Sequence, residues 1–220
     1  MKEVYSFILK IDDFSLENLQ LNIKKHIPGF NDGMRSQKIF SQLVRYHVFY
    51  NFFSIQNLKF GELESGKPTL INKELEFSIS HTSEYIIMSV AKDEIGVDIE
   101  QVRDKRNLEK IAFRFFSKLE YEQLRQSSNY KNDFFVLWTL KEAEVKKSGL
   151  GISKGFKDAC FIKNLDGKWI SPKFEQDFLT FLYDDLVGTV CCNNINSLSK
   201  RFFRITKNFE FEEVKVSEVL

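Results

Sequence analysis

Proline is scarce in this chain, with three residues in 220. That argues against a proline-rich linker and against the composition of a disordered segment. Cysteine is equally sparse: Cys160, Cys191 and Cys192. Two of these are adjacent and no C-x-x-C pair exists, which excludes a disulfide scaffold and a thiolate zinc site of the usual spacing. All three read as reduced, buried thiols of a cytoplasmic protein. An excess of one charge is also missing, because 32 basic residues face 31 acidic ones. A general nucleic-acid or membrane-surface binder would be basic, so neither partner is expected. Long apolar runs are absent too. The stretch "YIIMSVA" is far too short to span a bilayer, and "MKEVYSFILKIDD" lacks the apolar centre of a secretory signal. Both absences make the cytosol the expected location.

What the chain has in abundance is phenylalanine, 23 residues, within a hydrophobic content of 43%. A sizeable packed core follows. The length suits one large domain or two small fused ones. "VYSFILKI" predicts an opening strand, and a polar helix is expected over 15–25. Ile39, Leu43, Tyr46, Val48, Phe49 and Phe52 recur at helical spacing and predict a long buried helix. "ESGKPTL" reads as a turn marked by Gly66 and Pro68. In "LEFSIS", Leu75, Phe77 and Ile79 alternate with Glu76, Ser78 and Ser80, the pattern of a half-buried strand. "YIIMSVAK" and "IGVDIE" predict two more strands.

Helices are expected near 107–115 and from "SKLE", where Ser117 and Glu120 have capping-box spacing. A further helix covers "NDFFVLWTLKEAEVKKSG", with Asn132 or Asp133 as cap and Gly149 as stop. From about Phe156 the chain reads as short strands, with turns at "NLDGK" and "LYDDL". No identity repeat is visible, but each half runs helices and then a strand meander.

The chemistry gathers at two acidic places. In a strand, side chains two apart share a face, so Asp98 and Glu100 point opposite Ile95, Val97 and Ile99. On the later helix Glu142 and Lys146 are four apart and share a face. Glu142 lies beside an apolar stripe of Phe134, Trp138 and Val145. With Trp138 packed on the sheet, Glu142 meets Asp98 and Glu100. Two unit charges about 5 Å apart repel by roughly 3 kcal/mol at an effective dielectric near 20. One acid must then take a proton, or a cation must compensate. Three carboxylates without His or Cys make an oxygen-only set that suits Mg²⁺, which commonly meets phosphate in its open positions. Lys141 and Lys146 are placed to add positive charge for a phosphate substrate. Against this stand plainer readings: D-x-E on a solvated strand face, "LKEAEVKK" on an exposed helix, Glu120 as cap only, His81 as a strand-end residue. "SGKP" lacks the second glycine and trailing Ser/Thr of a P-loop.

The order of five segments decides between them. "GKPTL", "FSISH", "GVDIE", "FFSKLE" and "WTLKEAEVK", from Gly66 to Lys146, resemble the surfactin-synthetase-activating (Sfp) type of 4′-phosphopantetheinyl transferase. That family shows a GKP turn, an F-x-I/L-S-H strand, a G-I/V-D-I/L-E strand, an R-F-F-S-x-x-E segment and a W-x-x-K-E-A/S-x-x-K helix. The last three together are highly specific.

The resemblance implies Mg²⁺-dependent transfer of the phosphopantetheine arm of coenzyme A, the co-substrate, to a serine of an acyl or peptidyl carrier protein. 3′,5′-ADP is released, as in a holo-[acyl-carrier-protein] synthase. It implies that Asp98, Glu100 and Glu142 hold Mg²⁺, or Mn²⁺ in its place. Glu142 is then the general base, Lys146 assists the departing phosphate, and Glu120 positions the nucleophile. Lys67, Pro68, Ser80, His81 and Lys141 are implied contacts of coenzyme A. Arg35 is the choice among the N-terminal basic residues Lys24, Lys25 and Arg35 for the 3′-phosphate. The implied fold is α+β: two similar halves, 1–96 and 97–220, related by a pseudo-twofold. Each would be a small antiparallel sheet packed with helices, in a monomer with coenzyme A in the cleft. The carrier would dock near "FFSKLEYEQL". Two other readings remain: another Mg²⁺ enzyme on phosphate esters, such as a hydrolase or nuclease, and a non-catalytic module binding carrier proteins or coenzyme A.

Overall fold

The computed structural model describes residues 3–14, 36–71, 74–103, 107–151, 155–156, 158–173 and 177–219. The helix expected over 15–25, and with it Lys24, Lys25 and Arg35, lies outside the described residues.

Strand β1 (Glu3–Lys10) alternates between two cores, as period-2 side chains must. Tyr5, Phe7 and Leu9 enter one cluster; Val4 and Ile8 enter another. Helix α1 (Ser36–His47) covers the first face with Ile39, Phe40, Leu43 and Val44, and its last turn widens into a π-helical turn over Val48–Phe52. The long helix read from spacing is thus present, with Val48 and Phe49 fully buried. The GKP turn joins β2 (Phe60–Glu62) to β3 (Pro68–Leu70), with Gly66 at φ +87°. That left-handed conformation is one glycine adopts without cost.

Strands β4 (Glu76–His81), β5 (Tyr85–Ala91) and β6 (Ile95–Gln101) fall where alternation placed them. The expected half-burial of β4 is corrected. Ser78 and Ser80 are 3% and 5% exposed, because β6 lies against that side.

Helices α2 (Leu108–Phe115), α3 (Lys118–Arg125) and α4 (Tyr130–Ser148) follow. Ser117 and Glu120 form the capping box of α3, and Gly149 ends α4 at φ +65°. The start of α4 differs from expectation. The helix begins at Tyr130, and Asp133 accepts hydrogen bonds from Ser127 and Lys163 instead of capping.

The remainder forms β7 (Ile162–Lys163), β8 (Trp169–Ile170), β9 (Phe178–Tyr183), β10 (Leu186–Cys192), β11 (Ser199–Ile205), β12 (Phe211–Val214) and β13 (Ser217–Glu218). The turns at "NLDGK" and "LYDDL" link β7 to β8 and β9 to β10.

Two main sheets result, in the orders β12-β11-β1-β5-β4 and β13-β9-β10-β6. The second is antiparallel. The first is not wholly so, which corrects the expectation of two antiparallel sheets: β11 pairs with β1 in parallel. Phe203 and Ile205 from the end of the chain complete the apolar face that Tyr5 and Phe7 begin, and β11 pairs the edge that β1 would otherwise expose. The sheets face each other across Val4, Ile8, Ile87, Val97, Ile99 and Phe181. Helices α2–α4 cover the outer side of the second sheet. The molecule is therefore α+β, layered helix, sheet, sheet, helices. Among the described residues no helix is long and apolar enough to cross a membrane.

Candidate active site

β4 is the last strand of the first sheet and β6 the last of the second. These edges meet, and side chains replace a backbone ladder between them. Ser78 Oγ accepts from Val97 N at 3.0 Å, and Ser80 Oγ donates to Asp98 Oδ1 at 2.7 Å. Ser78 was missed in the sequence; its shared face with Ser80 in "FSIS" was the available signal.

The opposite side of this join is α4. It crosses β6 at Gly96, where a Cβ would stand 1.9 Å from Ala143 O and 2.5 Å from Lys147 N. Gly96, Asp98 and Glu100 share one strand face, so this crossing delivers the residues around Ala143 to the two acids. Trp138 stands among aromatic rings. It packs against Phe115, Phe116, Phe134 and Phe156, with centroids 5.2–6.3 Å apart. Only small residues allow backbone approach. The sheet side of α4 accordingly carries Ala143 and Thr139, whose Oγ1 lies 2.9 Å from Thr189 Oγ1.

Lys146 Nζ lies 2.6 Å from Asp98 Oδ1 and 2.9 Å from Ser80 Oγ. Asp98 is 5% exposed and Glu142 8%. Burial, then the negative charge of Asp98, push the Glu142 carboxyl up to about 7; Glu100 adds to this and Lys146 opposes it. Asp98, Glu100, Glu142, Lys146 and Ser80 thus occupy one corner. His81 is exposed beside it and lines a depression of about 340 Å³ with Gln37, Thr82, Ser83, Glu100 and Arg103. Gln37 and Arg103 had no sequence signal.

Three expected phosphate or nucleophile contacts lie elsewhere. Glu120 and Lys141 are each 1% exposed and bonded to one another, at 3.0 and 3.1 Å. Glu120 also accepts from Ser117 N at 2.7 Å and Phe161 N at 2.9 Å, while Lys141 donates to Ala159 O. The ion pair is closed to a phosphate or a serine, since each partner satisfies the other away from water. Lys67 Nζ donates to Ile95 O and Lys147 O, both at 3.1 Å. Pro68 opens β3 beside it.

Among the described residues no group of three or more His, Cys, Asp or Glu side chains stands arranged to hold a metal ion. The donor chemistry of the corner nevertheless fits a hard divalent cation. Asp98 Oδ2 is buried with no hydrogen-bond partner. The pKa of Glu142 beside it is held up by burial and by the charges of Asp98 and Glu100, which Lys146 only partly offsets. An oxygen-only pair in that state is what such a cation relieves.

Residues 94–191, which run from β6 through β10 and include every acid of this corner, match the model of the 4′-phosphopantetheinyl transferase superfamily. The resemblance drawn from five segments is borne out, with Sfp-type proteins among the relatives. The chain is 33% identical over 149 residues to "4′-phosphopantetheinyl transferase gsp" of Aneurinibacillus migulanus, covering 66% of this chain and 62% of that one. It is 36% identical over 100 residues, 44% of each chain, to "4′-phosphopantetheinyl transferase Sfp" of Bacillus subtilis (strain 168). Over 104 residues, again 44% of each, it is 38% identical to "4′-phosphopantetheinyl transferase HetI" of a Nostoc species. The chain spans about half the length of the curated relatives it matches.

Proposed function

We propose that this protein transfers the 4′-phosphopantetheine arm of coenzyme A to a serine of an acyl or peptidyl carrier protein and releases 3′,5′-ADP. The observation that carries the reading is the approach of Glu142 to Asp98 at the crossing of α4 over β6. Asp98, Glu100 and Glu142 would hold Mg²⁺, or Mn²⁺, which supplies charge neutralisation at the pyrophosphate.

The chain's own groups do the rest. Glu142 faces the Asp98 corner and is the carboxylate we assign to removal of the serine proton. The serine Oγ forms its bond to the phosphorus bearing the pantetheine arm. The bond from that phosphorus to the bridging oxygen breaks, and its electron pair leaves with 3′,5′-ADP. Lys146 faces the Asp98 corner and donates a hydrogen bond to the phosphate oxygens as charge builds. Ser80 holds Lys146, and His81 reaches phosphate from the depression at its side. Glu120 and Lys141 act beneath the site by fixing the rotation of α4. Arg35 is retained as the partner of the 3′-phosphate. We hold the finer organisation as part of the same reading: halves 1–96 and 97–220 in pseudo-twofold relation, coenzyme A between them, a cytoplasmic monomer.

Incubation with coenzyme A, Mg²⁺ and an apo carrier domain, followed by mass spectrometry of the carrier, tests it. A gain equal to phosphopantetheine is expected. Phosphate release without carrier labelling would select a phosphoesterase instead, and complex formation without chemistry a binding module.

A further inference from the structure

At the crossing of β6 and the end of α4, Gly96 leaves no room for a side chain, and the nearest side-chain bond between the two elements is that of Lys146 to Asp98. Any Cβ on Gly96 would strike Ala143 O and Lys147 N. The carbonyls in the last turn of a helix can take a partner from outside it, and Lys147 O stands in the last turn of α4. Lys67 supplies that partner. Its Nζ donates to Lys147 O in the last turn of α4 and to Ile95 O at the first residue of β6. A cation at a helix C-terminus also meets its dipole favourably.

The turn that presents Lys67 is itself tied. Leu63 N donates to Lys67 O at 2.9 Å, and Gly66 N to Leu63 O at 2.9 Å. One ammonium therefore joins the GKP hairpin, the strand carrying Asp98 and the helix carrying Lys146. Lys146 is the neighbour of Lys147, and Asp98 lies three residues from Ile95. Any slip of α4 along β6 at this seam moves Lys146 relative to Asp98.

We infer that Lys67 is a positioning residue, whose ammonium pins α4 to β6 and so sets the contact between Lys146 and Asp98. The surroundings support this over direct phosphate binding. Burial lowers the pKa of the Lys67 ammonium, and the acids Glu76 and Glu94 act on it in the opposite sense. Two of its three N–H groups are already committed to carbonyls. The inference rests on the transferase reading for its effect on turnover, but the fastening itself is independent of it.

Amide hydrogen exchange and transfer kinetics on the full chain, with Lys67→Met and Lys67→Arg, decide the matter. Lys67→Met should lose about tenfold or more of exchange protection across 95–101 and 143–149, with β1 and β5 unchanged. Its kcat should fall by about tenfold or more, with KM for coenzyme A within about threefold of wild type. Lys67→Arg keeps the donors and should regain protection and most of the turnover. Intact protection in Lys67→Met, or a raised KM with unchanged kcat, overturns the inference and returns Lys67 to the phosphates. Should Lys67→Met not fold, Lys67→Arg decides: loss of protection at the same segments overturns it. Should the wild type transfer nothing, the transferase reading falls, while the exchange data still judge the fastening.

Discussion

Gly96 and Ala143 touch backbone to backbone: a Cβ on the glycine would stand 1.9 Å from the alanine carbonyl oxygen. Everything in the acidic corner depends on that approach, because it sets how far α4 sits above the Asp98 face.

Gly96→Ala should therefore force the helix off the strand. A backbone obstacle cannot swing aside, so the cost is expected at about 3 kcal/mol or more. For a chain of this size that lowers Tm by roughly 10 °C. Thermal denaturation measures it, and transfer activity should fall with it as Glu142 and Lys146 leave Asp98.

Asp98→Ala should separate function from fold. The substitution removes repulsion on Glu142 but unpairs Lys146, whose side chain is 28% exposed and can turn to water. Tm without metal should stay within about 3 °C of wild type. Carrier labelling should drop by about 100-fold or more, and binding of Mn²⁺, followed by electron paramagnetic resonance, should be lost. Unchanged Mn²⁺ binding would remove Asp98 from the ligand set.

Glu142 makes the metal-free protein pH-sensitive in a definite direction. Its folded-state carboxyl is raised from 4.5 to about 7, so between those values the folded state holds more proton than the unfolded one. Its stabilising contribution is complete below about 4.5 and is lost as pH rises through about 7. Glu142→Gln removes the dependence. The variant should gain up to roughly 3 kcal/mol over wild type at pH 8, and that gain should vanish near pH 4.5. Urea denaturation at the two pH values reads the difference. Mg²⁺ at pH 8 should narrow it by stabilising wild type alone.

Glu120 and Lys141, each 1% exposed, form a pair in which removal of one partner strands the other. Lys141→Met and Glu120→Gln should each cost about 3–5 kcal/mol, and the double variant clearly less than their sum. A double-mutant cycle in urea measures the coupling. If Lys141 instead served a substrate phosphate, Lys141→Met would leave stability near wild type and raise KM for coenzyme A.

Much of the local structure was legible in the residues. The alternation in "IGVDIE" told which face carries the acids, and Ile95, Val97 and Ile99 are indeed buried in the inter-sheet core. Spacing of Ser117 and Glu120 marked the start of α3, and Gly149 the end of α4. The four-residue interval put Lys146 on the face of Glu142. The neighbours of Trp138 were not legible, because periodicity identifies an apolar side chain but not which residue it meets. In α4 nearly every direction is buried, so the stripe carried little information.

The sequence by itself determined most element positions and which acids share a face, since these follow from the repeat of strand and helix within a few residues. Only the tertiary structure decided the partners. It turned Lys141 inward to Glu120, Lys67 to two carbonyls and Lys146 to Asp98, and it brought β11 back to β1. A lysine carries the same charge wherever it stands. What it binds is set by which acids and carbonyls packing brings within reach, and those come from segments far apart along the chain.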